Sequence, residues 1–237
     1  MTPKGILHST SRWLEGAAML AGFAYAGCAA VTWLRYGWHA EPTANERDAL
    51  LDVYMPRYDV VERHNIEIDA PAHVVLQAAR EMDMRDSSLA EAIFKAREIV
   101  MGAQTPGRRN PRGLVEETTS LGWRILAETP GREIVVGAVT KPWEGNVKFV
   151  GLEPDQFAAF MEPEFVKIAW TLRADPVGPS RSVFRTETRA LATDAVARRR
   201  FRRYWAFVSP GIWLIRRLSL SPLKASAEKN AREYNAA

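Results

Sequence analysis

An apolar run without any charged residue constrains this chain more than any other feature. It extends from Gly16 to Leu34, between Glu15 and Arg35. A helix needs about 20 mainly apolar residues to cross the ~30 Å hydrocarbon layer of a bilayer, so the run is long enough to span one. Its apolarity is only moderate, because alanine and glycine dominate it. The run therefore predicts a helix that either spans a membrane or is buried in a soluble core.

The flanks of this run favour a membrane anchor. Lys4 and Arg12 precede it, as in a signal peptide or a signal anchor. Aromatic residues lie at both ends, where amphipathic rings favour the membrane interface; they are Trp13, Trp33, Tyr36 and Trp38. We therefore expect a single-pass membrane protein with its anchor in residues 1–37. The basic residues on the two sides of the span are balanced, and the domain is expected on the cytoplasmic side because the arginines between residues 198 and 203 suit an anionic inner leaflet. A cleaved signal, a lipidated Cys28 and a buried soluble helix are the alternatives.

A stripe of small residues follows one face of the predicted anchor. Ala18, Gly22, Ala26 and Ala30 recur at every fourth position. Small residues at this spacing let a second transmembrane helix approach closely. The stripe predicts a partner helix in the membrane, although an alanine-rich segment also contains such spacings by chance.

The composition leaves room for one folded domain beside this helix. The chain has 237 residues, of which 47% are hydrophobic and 25% are charged, with a net charge of +4. These values exclude wholesale disorder. Cys28 is the only cysteine, so a disulfide within the chain is excluded.

The rest of the chain has the periodicity of a mixed α and β domain after a polar linker, residues 38–57. Apolar residues alternate in "YDVVERHNIEID", which predicts a strand. Two helices are predicted over 72–83 and 87–102, followed by a hairpin in "GWRILAETPGREIVVGAVT". Two further strands, "EFVKIAWTLRAD" and "SVFRTETRALAT", lead to a long final helix capped by Thr193 or Asp194. The pairs Ser209-Pro210 and Ser221-Pro222 predict that this helix stops and restarts.

This order of elements resembles the START-like, or helix-grip, superfamily (SRPBCC), which includes polyketide cyclase/dehydrase-like and lipid-transport proteins. The resemblance rests on "VERHNIEIDAPAHVVLQAARE" and "TETRALATDAVARRRFRRYW" and covers residues 58–220. Leu76 departs from the family pattern, which often has a tryptophan there. The resemblance implies an α+β fold in which a curved antiparallel sheet wraps around the long C-terminal helix and encloses an apolar cavity. Residues 221–237 would form a helical tail.

Within such a fold, the inward-facing residues are the candidate ligand contacts. They are Trp170, Phe184, Thr186 and Thr188 on the strands, and Phe201 and Trp205 on the final helix. His64 and Glu62 share the interior face of the first strand and could act as an acid–base pair. Ordinary core packing, strand propensity and a structural His–Glu pair are the alternatives.

Five arginines lie within six positions of the final helix, interrupted by Phe201. Four of them, Arg198, Arg199, Arg202 and Arg203, are candidates for contact with anionic lipid headgroups. A solvated or salt-bridged helix face is the alternative, and nucleic acid is not expected as a partner. The four histidines are scattered and no HExxH, CxxC or phosphate-binding glycine loop occurs, so neither a metal nor another cofactor is expected.

Together these patterns predict a membrane-anchored START-like protein that binds or transfers a hydrophobic ligand, such as a lipid, quinone, terpenoid or polyketide-like molecule. Catalysis is not expected to be its main role. One alternative is an accessory subunit docked in a larger membrane complex through the small-residue stripe. The other is a cyclase or dehydratase that uses His64 and Glu62.

Overall fold

The computed structural model describes residues 4–82 and 113–236. The predicted helix over 87–102 therefore lies outside the described residues. In chain order the elements are α1 (Lys4–Arg35), α2 (Ala49–Tyr54), β1 (Val60–Ile68), α3 (Ala72–Glu81), α4 (Leu114–Ser120), β2 (Arg124–Thr129), β3 (Glu133–Thr140), β4 (Phe149–Val150), α5 (Pro154–Ala159), β5 (Val166–Gly178), β6 (Arg181–Ala192) and α6 (Ala195–Ala236).

The strands of the described residues form one curved, six-stranded antiparallel sheet in the order β1-β6-β5-β3-β2, with β4 paired to β3. The register between β1 and β6 is regular from Val60 opposite Ala190 to Ile68 opposite Ser182. The predicted hairpin is confirmed as β2 and β3. Its turn contains Gly131 at φ 71°, a left-handed conformation that glycine adopts without strain.

The two faces of the sheet are covered by different helices. α3 and the C-terminal part of α6 pack on the concave face, where the buried core includes Ile68, Val75, Val136, Leu172, Phe184 and Leu223. α2 and α5 pack on the convex face around Leu51, Met55, Val139 and Phe157. The alternation of apolar residues along the strands thus serves two cores, since successive side chains point to opposite faces.

Helix α6 begins as the sequence predicts and ends differently. The Asp194 carboxylate accepts a hydrogen bond from the Ala197 N–H at 2.6 Å, which confirms the predicted cap. The helix then continues to Ala236 with Pro210 and Pro222 inside it, so the predicted restarts at the Ser-Pro pairs are wrong. Each proline removes one backbone hydrogen bond, and packing of the helix on the sheet and α3 outweighs that loss; beyond the second proline the packed residues are Leu223, Ala227 and Ala231.

The C-terminal half of α1 lies along α6. The Tyr25 hydroxyl donates to the Phe207 carbonyl oxygen, and the Ser209 hydroxyl bonds the Thr32 hydroxyl at 3.2 Å. Tyr36 packs edge-on against Phe201 with ring centroids 6.1 Å apart. The small-residue stripe does not make these contacts, because its members Gly22, Ala26 and Ala30 are exposed; the side chain of Ala18 lies outside the described part of the chain.

The prediction of a single-pass membrane protein, with its domain on the cytoplasmic side, is wrong. Among the described residues, no helix combines the length and the apolarity that crossing a bilayer requires. The physical reason lies in the composition of α1: its 32 residues suffice in length, but alanine and glycine contribute little hydropathy per residue.

Candidate ligand-binding site

The register of three strands brings five of the predicted residues together. Glu62 lies opposite Thr188, and His64 lies opposite Thr186. Trp170 lies opposite Thr188 on the other side. Because directly paired residues of neighbouring strands share a face, these five side chains form one group on the face that α6 covers. We call this group, together with Arg216 of α6, the interior polar cluster.

His64 is a buried titratable group of the cluster. Its side chain is 7% exposed, and its Nε2 atom lies 3.8 Å from the Glu62 carboxylate, which is too far for a hydrogen bond. Burial, together with the charges of Arg216 and Arg217, lowers the pKa of His64 to about 4. The imidazole is therefore neutral at pH 7. Burial also raises the pKa of Glu62, and the guanidinium of Arg216 opposes that shift.

Two polar atoms of the cluster have no hydrogen-bond partner. Within the described residues, His64 Nε2 and Thr188 Oγ1 are both buried and unpaired. Native proteins pair the large majority of such atoms, and leaving one unpaired costs about 1–3 kcal/mol. The cluster thus holds unused hydrogen-bonding capacity inside the fold.

Arg216 is a residue that the sequence analysis missed. Its Nη1 atom lies 3.4 Å from the Thr186 hydroxyl, so the guanidinium enters the interior from α6. Burial lowers its pKa to about 10, against the opposing effect of the Glu62 charge. A sequence signal was present: Arg216 continues a stripe at helical spacing, which consists of Phe201, Trp205, Val208 and Ile212.

Aromatic rings border the cluster on the side of β2 and β4. The indole of Trp170 contacts that of Trp123 edge-on, with centroids 6.4 Å apart. Trp123 in turn lies 4.9 Å from the ring of Phe149. Phe184 is buried in the same core as Trp170. The surroundings of the polar atoms are therefore largely apolar.

Two predicted contacts, Phe201 and Trp205, lie in a different core cluster. Their rings are 5.9 Å apart, and they pack with Val60, Val166 and Ala190 beneath the N-terminal half of α6. The structure therefore separates them from the core that contains Trp170 and Phe184.

The arginine run splits into two groups. Arg198 forms an ion pair with the buried Asp59 at 2.7 Å, and Arg202 donates to the Trp33 carbonyl oxygen at 2.7 Å. Arg199 and Arg203 are exposed. Two of the four arginines singled out in the sequence thus hold α1 and the residue that precedes β1 against α6.

The convex face carries a small recess. It is a cavity of about 20 Å³ lined mainly by charged side chains, among them Asp48, Arg63, Arg173, Arg185 and Glu187. That volume holds about one water molecule, which is too small for an organic ligand. Across the described chain, no group of three histidine, cysteine or carboxylate side chains could hold a metal ion.

Comparison with known proteins returned structural similarity only. No family model and no curated protein matches the chain. A norcoclaurine synthase mutant from Thalictrum flavum, solved with a transition-state analogue, is 12% identical over 74% of this chain and 96% of its own, with a TM-score of 0.34. A hypothetical protein from Helicobacter pylori is 9% identical over 79% and 99%, with a TM-score of 0.39. A START superfamily protein from Mycobacterium smegmatis is 12% identical over 73% and 98%, with a TM-score of 0.26.

Similarity of this degree carries no argument about activity. The fold itself rests on the architecture: an antiparallel sheet that curves around a long C-terminal helix, with β1 at one edge and the β2–β3 hairpin at the other. That architecture is what the resemblance described in the sequence analysis implied. The chain has a helix-grip fold.

Proposed function

We propose that the chain binds a hydrophobic small molecule between the concave face of its sheet and α6. The observation that supports this function is the pair of unpaired polar atoms, His64 Nε2 and Thr188 Oγ1, in largely apolar surroundings. A ligand would gain about 25 cal/mol for each Å² of apolar surface it removes from water. Its polar group would be oriented by the few hydrogen-bonding atoms of the site, the usual arrangement in small-molecule pockets.

The state of His64 favours binding over acid–base catalysis. A cyclase or dehydratase mechanism would need His64 or Glu62 to give or take a proton near neutral pH. With its pKa lowered to about 4, the imidazole of His64 has no proton to donate as a general acid at pH 7, and it is a weak base. Its role in this proposal is to form a hydrogen bond with the ligand.

The proposed ligand contacts divide by position. Trp170 and Phe184 supply apolar surface, and Thr186 and Thr188 supply hydroxyl groups beside it. Phe201 and Trp205 would close the end of the site under the N-terminal half of α6. A lipid, quinone, terpenoid or polyketide-like molecule matches these contacts, since each combines a large apolar body with a few oxygen atoms.

The test uses the uncharged fluorescent probe N-phenyl-1-naphthylamine and the full chain. We expect saturable binding of one probe per chain. Thr188→Phe places a ring where the ligand would lie, and we expect it to weaken binding about tenfold or more, equivalent to roughly 1.4 kcal/mol. Val183→Phe is the matched control, because Val183 lies on the same strand but on the opposite face of the sheet.

Two results would count against the proposal. One is the absence of saturable probe binding to the wild-type chain. The other is an equal loss of affinity in Thr188→Phe and Val183→Phe, because added bulk on either face would then act through general disturbance of the sheet. Far-ultraviolet circular dichroism of each variant checks that the fold is retained.

A further inference from the structure

Arg216 differs from the other enclosed arginines of the described chain in having no acidic partner in contact. Arg189 forms ion pairs with Asp52 at 2.5 Å and Glu187 at 2.7 Å. Arg173 likewise contacts Asp175 at 2.9 Å. Within the described residues, the only side-chain hydrogen bond of Arg216 is the long one to the neutral Thr186 hydroxyl, at 3.4 Å.

An enclosed guanidinium without a counter-ion is unfavourable. Removing a charge from water costs free energy that contact with an opposite charge and further hydrogen bonds must offset. The charge of Glu62 acts on Arg216, but its carboxylate does not reach ion-pair distance. The guanidinium therefore keeps donor N–H groups that an incoming anion can occupy, and its planar fork suits a carboxylate in particular.

The atoms around Arg216 complete a set of donors. Thr188 Oγ1 is an unpaired hydroxyl that can donate a hydrogen bond, and the unpaired Nε2 atom of the neutral His64 can carry the ring proton. Both belong to the interior polar cluster that Arg216 enters. A guanidinium, a hydroxyl and an imidazole N–H on the same side of the sheet are suited to bind oxygen acceptors that carry negative charge.

We propose that the hydrophobic ligand carries a carboxylate, which binds Arg216 and accepts hydrogen bonds from Thr188 and His64. This inference rests on the proposed function, because it names the chemical class of the ligand for the same site. The ligand is then an apolar acid, with its chain or ring system against Trp170 and Phe184 and its carboxylate toward α6.

Glu62 allows a second test of this proposal, in which a substitution is expected to strengthen binding. Its own carboxylate faces the same interior and competes with a bound anion for the field of Arg216. Replacing it by the uncharged glutamine removes that repulsion and keeps the shape. Glu62→Gln should therefore tighten the binding of an acid and leave the binding of its neutral ester unchanged, whereas Arg216→Met should weaken the binding of the acid alone.

The experiment compares cis-parinaric acid with its methyl ester on the full chain, by the fluorescence of the polyene. We expect the wild-type chain to bind the acid about tenfold or more tightly than the ester, the ratio expected for one charge-assisted hydrogen bond. Arg216→Met should abolish this preference with little change in the affinity for the ester. Arg217→Met is the matched control, since it removes the same charge from an exposed neighbouring position and should keep the preference.

The outcomes separate the two proposals. Equal affinity of the wild-type chain for acid and ester, or a preference that persists in Arg216→Met, overturns the carboxylate assignment while ester binding leaves the hydrophobic site standing. Binding of neither compound overturns both. Should Arg216→Met fail to fold, Glu62→Gln decides alone: weaker or unchanged binding of the acid contradicts the inference.

Discussion

Two threonines of the same sheet provide a sharp test of the unpaired polar atom. Thr188 on β6 has a buried Oγ1 without a partner in the described chain. Thr140 on β3 is 1% exposed, and its hydroxyl donates to the Lys148 carbonyl oxygen at 2.8 Å. Replacing either residue by valine exchanges the hydroxyl for a methyl group on the same branched frame. The two substitutions should change the free energy of unfolding in opposite directions.

The expected magnitudes follow from the hydrogen bonds. Thr188→Val removes an unpaired hydroxyl whose burial costs about 1–3 kcal/mol, so we expect the ligand-free chain to gain about 1 kcal/mol after imperfect methyl packing is allowed for. For a chain of this size that gain raises Tm by about 2–4 °C. Thr140→Val loses a formed hydrogen bond and leaves a carbonyl oxygen without its partner, which should lower the free energy of unfolding by about 1–2 kcal/mol.

The assay is urea unfolding of the two variants and the wild-type chain, followed by circular dichroism and intrinsic fluorescence. Equal slopes in urea would show that each variant exposes the same surface on unfolding. If Thr188→Val destabilises the chain as much as Thr140→Val does, the hydroxyl of Thr188 is hydrogen-bonded in solution. The argument that the interior polar cluster holds unused bonding capacity would then fail.

Two further predictions concern stability. Burial is the main cause that raises the pKa of Glu133 above its ordinary value of 4.5, and the carboxylate of Asp48 adds to it. The folded state therefore holds this proton more tightly than the unfolded state does. We expect the contribution of Glu133 to the free energy of unfolding to be full below pH 4.5 and to fall as pH rises through the raised pKa. Glu133→Gln should flatten that fall in urea unfolding measured across pH, and an unchanged pH profile would contradict the assignment. Trp205 is 8% exposed in the core under α6, so Trp205→Ala should lower the free energy of unfolding by about 3–5 kcal/mol and Trp205→Phe by clearly less; equal stability of Trp205→Ala and wild type would show that this core is loosely packed.

Much of the fold could be predicted because it depends on interactions between near neighbours in the chain. The alternation of Val166, Ile168, Trp170 and Leu172 requires an extended strand if the apolar residues are to share a face. Asp194 can cap the helix that follows it through its own side chain. The pairing of His64 and Glu62 on one face follows in the same way from the period of two. These features need no knowledge of the rest of the molecule.

The inward position of Arg216 was within reach of the same reasoning, but its meaning was not. The helical stripe indicates that residue 216 faces the sheet. Whether the guanidinium finds a carboxylate within ion-pair distance depends on which strand lies opposite and in which register. Only the folded chain places Thr186 beside it and keeps Glu62 beyond ion-pair distance.

Two outcomes were decided by tertiary structure alone. The sequence by itself indicated that residues 16–34 form a helix, but its marginal hydropathy did not determine what the helix packs against. The contacts of Tyr25 and Thr32 show that it packs against α6. Pro210 and Pro222 break helices locally, yet α6 continues through both, because its packing on the sheet exceeds the loss of single backbone hydrogen bonds. Local sequence determines which backbone conformations are accessible, whereas long-range contacts supply the free energy that selects among them.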